Sequence, residues 1–155
     1  MLSANIYESL FVIAAFLIQI ILCIHFAMRK WHYDAAIRYG WIVYTLGIPA
    51  AAMSIFGGVA GMSWVFCIGG FLYLVWGLFG YTVEYILHIQ WRDPINWVIL
   101  GPYITLYLAM LMFYWWPLAF VDKPCWYIYG FLFLLSTYLN ISSHHKKGMV
   151  VDGRV

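Results

Sequence analysis

Residues 39–83 form an unbroken stretch of 45 residues without a single charged side chain. No water-exposed surface helix or strand tolerates that, and it is too long for one crossing of a bilayer, which takes about 20 apolar residues. The stretch must therefore hold two membrane-spanning helices and a turn. Gly57-Gly58, with Gly61 behind them, is the place to turn. Charge gaps parse the rest of the chain in the same way. The expected architecture is all-α, an integral membrane bundle of five transmembrane helices at about 5–28, 38–56, 62–90, 95–120 and 124–143. Pro49 is expected to kink the second helix. Asp93 reads as the N-cap of the fourth, with Pro94 in its first turn. Residues 1–143 then make one transmembrane domain and 144–155 a short tail. The apolar run from Phe11 has no basic stretch before it, so it reads as a spanning helix rather than a cleaved leader.

Composition agrees. The chain is 66% hydrophobic and only 9% charged, against about 25% charged in soluble domains. A net charge of +2, with no basic stripe and no glycine loop carrying a lysine, leaves no footprint for a nucleic acid. Cys23, Cys67 and Cys125 form no paired spacing and read as small membrane-buried hydrophobes. Five crossings put Arg29, Lys30, Arg38, Arg92, Lys146, Lys147 and Arg154 on one side and leave Lys123 alone on the other. By the positive-inside rule the N-terminus is outside and the C-terminus cytoplasmic. A four-helix parse would scatter the positive charges over both sides. Eight of nine tryptophans fall near helix ends, as interfacial belts do. Trp76 is the exception, near mid-membrane, and reads either as helix packing or as a wall of an apolar ligand pocket.

This topology gathers all five histidines, with Glu84, at the cytoplasmic end. Glu84 carries the most information, because a carboxylate about one and a half turns inside a spanning helix is costly and is by default a functional group. His88 stands four residues on, on the same face if the helix continues, flanked by Tyr81 and Tyr85. Glu84 is then the candidate acid or base, with His88, Tyr81 and Tyr85 as partners. Arg92 would reach a lipid phosphate or Glu84. An imidazole and a carboxylate so placed also suit zinc or iron, with His25 on a neighbouring helix and His144 or His145 from the tail as further ligands. A haem would need His25 and His88 to face each other. No HExxH motif and no repeated histidine boxes occur.

In size, helix count and tryptophan content the chain resembles the translocator protein (tryptophan-rich sensory protein) family, five-helix bundles that bind tetrapyrroles and sterols. The nearest local match is Ser136-Thr137-Tyr138-Leu139-Asn140. The family's proline- and tryptophan-rich stretch after helix 1 is replaced here by Arg29–Arg38, so no family residue is carried over. The expected function is to bind or process an apolar or amphiphilic small molecule, such as a lipid, isoprenoid, sterol or tetrapyrrole, with its polar end near the cytoplasmic face. The alternatives are a metal- or haem-binding redox subunit and a structural subunit. Membrane lipid is the expected surrounding, with a homo-oligomer or a larger membrane complex as the setting.

Overall fold

In a computed structural model, which describes residues 4–89, 91 and 94–143, the chain is an all-α bundle with no strand among those residues. The helices are α1 (Ala4–Trp31), α2 (Tyr33–Thr45), α3 (Gly47–Val59), α4 (Trp64–Tyr81), α5 (Trp97–Val121) and α6 (Lys123–Ser143). A π-helical turn, Thr82–Ile86, extends α4. α2 and α3 run on as one bent rod, so the bundle has five rods among the described residues. Four of them are long and apolar enough to cross a membrane: Ile6–Trp31, Tyr33–Val59, Trp64–Ile86 and Trp97–Val121. At 1.5 Å per residue the shortest of these, 23 residues, reaches about 34 Å, longer than the roughly 30 Å hydrocarbon layer. These helices mark the chain as an integral membrane protein.

The rods close into a ring. α1 packs on α2 and α6, α4 on α2, α3 and α5, and α5 on α6. α1 shows how a helix with apolar residues on every face chooses its inner one. Tyr7, Phe11, Ala15, Ile18, Leu22 and Phe26 recur every three or four residues and are buried, while Ile13, Leu17, Ile20 and Ile24 point outward. The middle of the ring is filled by aromatic side chains. Phe11 meets Phe66 at 5.1 Å and Tyr114 at 5.8 Å, and Phe26 meets Tyr107 at 5.7 Å. Lipid gives helices little hydrophobic reason to associate, so close backbone packing must do it. A Cβ at Gly77 would stand 2.5 Å from the Tyr44 carbonyl oxygen, and one at Gly70 would run into the Ala50 carbonyl and the Ser54 hydroxyl. These two glycines let α4 lie directly against the α2–α3 rod.

Several boundaries differ from expectation. The second rod starts at Tyr33, not 38, because the polar stretch Arg29–Arg38 is almost entirely helical; His32 alone breaks it, with φ −134°. The bend in that rod falls at Leu46, between α2 and α3, where Pro49 has no N–H to continue the ladder. The turn after α3 comes at Gly61, with φ +77°. The third helix ends at Ile86 rather than 90. α5 opens at Trp97, where the Asn96 side chain accepts from the Val98 N–H at 3.1 Å, so the cap is Asn96 and Pro94 stands before the helix. Asp93 lies outside the described residues. Among the tryptophans placed in belts, Trp31, Trp64 and Trp97 are well exposed, but Trp91 is buried against Tyr103 at 4.9 Å.

Candidate functional site

The end of α4 explains the site. Leu87 N–H bonds to Thr82 O at 2.9 Å, one residue further back than in an α-helix, and Ile89 N–H to Val83 O at 3.1 Å. The widened turn adds one residue to the helix, and such turns often sit at functional positions. His88 then stops the helix in the left-handed region, φ +49°, where glycine is usual. Two consequences follow. His88 is exposed and beyond the helix, so it does not share a helix face with Glu84. Glu84 sits in the last turn, two residues from the helix end, instead of a turn and a half inside.

The π turn presents Glu84 to the interior, where its side chain is 16% exposed. Two tyrosines that no sequence pattern distinguishes meet it. Tyr44, near the end of α2, donates its hydroxyl hydrogen to Glu84 Oε2 at 2.9 Å. Tyr103 on α5 lies 3.3 Å from the Tyr44 oxygen. A phenol has one hydrogen, and Tyr44's is committed to Glu84, so Tyr103 is the donor in the second bond. The two hydroxyls form a directed chain ending on the carboxylate. On the other side Arg29, from the last turn of α1, places Nη2 3.9 Å from Glu84 Oε1. Its side chain is 6% exposed, and Nη1 is buried without a hydrogen-bond partner among the described residues. Four rods thus converge on one charge pair.

Tyr85 and His25 flank it. Tyr85 donates to the Ile37 carbonyl at 2.9 Å and stacks on Tyr81, centroids 5.3 Å apart. A Cβ at Gly40 would stand 2.7 Å from the Tyr85 hydroxyl and 3.3 Å from His25 Cε1, so a bare glycine on α2 is what allows the two rings to approach. His25 is itself buried. Tyr81 is exposed at the rim. Trp76 is fully buried in a tyrosine box, with ring centroids 5.3 Å to Tyr44, 5.7 Å to Tyr73, 5.4 Å to Tyr103 and 5.7 Å to Tyr107. It packs against Tyr44 and Tyr103, the two tyrosines whose hydroxyls lead to the carboxylate.

Among the described residues no three or more of His, Cys, Asp and Glu come together as a metal site would require. His144, His145 and Arg92 lie outside the described residues. Two shallow hollows of about 410 Å³ each open at Glu8–Val121 and at Trp31–Ala35. The second is at the α1–α2 turn, two residues beyond Arg29.

A separate polar layer lies deeper, between α1, α5 and α6. Gln19 is fully buried and donates to Ser136 Oγ at 2.7 Å and to Leu132 O at 2.9 Å, and Tyr107 bonds to Ser136 at 3.1 Å. It ties α6 to α1, and a lone amide in an otherwise apolar run was its one visible signal.

No family model, curated protein or solved structure matches this chain, so the likeness in form to the translocator protein family gains nothing from them.

Proposed function

We propose that this integral membrane protein holds an apolar or amphiphilic small molecule with its polar end at Arg29, Glu84, Tyr44 and Tyr103. In this reading α6 is a fifth crossing, the N-terminus is outside, and the site lies at the cytoplasmic face. The supporting observation is a buried guanidinium paired with a partly buried carboxylate, assembled from α1 and a π turn and backed by a directed pair of tyrosine hydroxyls. A bundle that only needed to pack would fill that position with apolar side chains, since a buried ion pair is a weak source of stability. Trp31, Ile86 and Leu87, exposed around the same end, offer an apolar surface. His25 and Tyr85 stand beside the pair as further polar contacts.

The experiment is purification in mild detergent, solvent extraction and mass spectrometry of what is released. A molecule retained at a fixed ratio to protein, and lost in Glu84→Gln, supports the reading. Lipid of bulk membrane composition at no fixed ratio, unchanged in Glu84→Gln, refutes it and leaves a structural subunit.

A further inference from the structure

Resting on that reading, we infer that the polar end of the bound molecule is an uncharged acyl-ester carbonyl, as in a neutral glycerolipid, accepting a hydrogen bond from Arg29 Nη1. A guanidinium carries only donors, so Nη1, without a partner among the described residues, calls for an acceptor. Leaving a donor of a charged group buried and unmet is among the costlier defects a fold carries. The acceptor must be neutral. Glu84 stands 3.9 Å from the same guanidinium and already balances its charge. A phosphate or carboxylate entering here would bring a second negative charge against Glu84 in a weakly screening interior.

Depth and surroundings narrow the class. Arg29 is in the last turn of α1, at the end of a rod long enough to cross a membrane; the ester carbonyls of glycerolipids lie at the depth where such a rod leaves the hydrocarbon layer. Its guanidinium carbon sits 6.0 Å from the centre of the Phe26 ring. Around the same end, Trp31, Ile86 and Leu87 are exposed and apolar, a surface for acyl chains rather than for a soluble anion.

The test compares three probes on the full chain in detergent, by titration of its intrinsic tryptophan fluorescence: dioctanoylglycerol, its di-ether analogue without carbonyls, and dioctanoyl phosphatidate. A hydrogen bond to a charged group predicts that the ester binds about tenfold or more tighter than the ether. Phosphatidate should bind no tighter than the ester, and the ester's advantage should vanish in Arg29→Met. Equal binding of ester and ether overturns this inference while leaving the proposed amphiphile site standing. Phosphatidate tighter than the ester by tenfold overturns it in favour of an anion site. Binding of none of the three overturns the inference together with the reading beneath it. The ester–ether comparison in the unmutated protein decides the question even where Arg29→Met fails to fold.

Discussion

Removing the acidic partner of the Arg29–Glu84 pair alone should hurt the fold more than removing both partners. At 3.9 Å and an effective dielectric of about 20, the attraction between two unit charges is about 4 kcal/mol. This is an upper value, because the heavy atoms are an ångström beyond hydrogen-bonding distance. Glu84→Gln keeps an acceptor for Tyr44 but strands a guanidinium that is 6% exposed, and should cost about 3 kcal/mol, the lower end of the range for a broken buried pair. Arg29→Met strands the carboxylate, which keeps the Tyr44 bond and has a little more access to solvent, and should cost about 2 kcal/mol. The double variant removes both charges and should lie near the milder single, leaving a coupling of about 3 kcal/mol. The assay is reversible unfolding in mixed micelles of mild detergent and dodecyl sulfate, followed by tryptophan fluorescence. A coupling below about 0.5 kcal/mol, the size found for exposed pairs, would refute the claim that the pair is buried and interacting.

Three further expectations concern the scaffold. Gly77→Ala should destabilise by about 1–3 kcal/mol through overpacking against the Tyr44 carbonyl, whereas Gly58→Ala, with nothing within 4 Å of the new methyl, should be neutral or stabilising by up to about 1 kcal/mol; thermal unfolding of both variants checks the contrast. His88→Gly should raise stability by about 1 kcal/mol by relieving a left-handed residue and leave bound lipid unchanged; loss of the lipid would mean that the imidazole itself takes part. In a cysteine-free background, Asp34→Cys and Ser143→Cys should react with impermeant maleimide only from the cytoplasmic side, and Ser63→Cys and Asp122→Cys only from outside; labelling of positions 122 and 143 from one side would remove the fifth crossing.

The spans were legible because charge in a membrane chain is confined to helix ends, and the uncharged stretch 39–83 could be read only as two helices and a turn. Pro49 and Gly57–Gly61 announced the bend and the turn through backbone chemistry that acts locally. Glu84 was legible for the same reason, as an acidic residue standing behind 45 uncharged ones in an apolar helix. Its partners were not. Tyr44 and Tyr103 are two of 13 tyrosines, and in a helix apolar on both faces no periodicity tells which ring turns inward. Arg29 read as a positive-inside anchor, because snorkelling arginines at helix ends are common; that it folds inward depends on the position of Glu84, 55 residues away. The π turn and the left-handed stop at His88 have no local signature, since neither glycine nor proline marks them. That is why the Glu84–His88 pairing expected from a continuing helix does not form.

The most direct test of the central claim is photocrosslinking with a glycerolipid bearing a diazirine beside its headgroup, followed by peptide mapping of the labelled protein. Label should concentrate on the segments holding Arg29, Tyr44, Glu84 and Tyr103, be competed away by unlabelled lipid and be lost in Glu84→Gln. Label spread over outward residues such as Leu17, Phe131 and Leu134, with no competition, would contradict it.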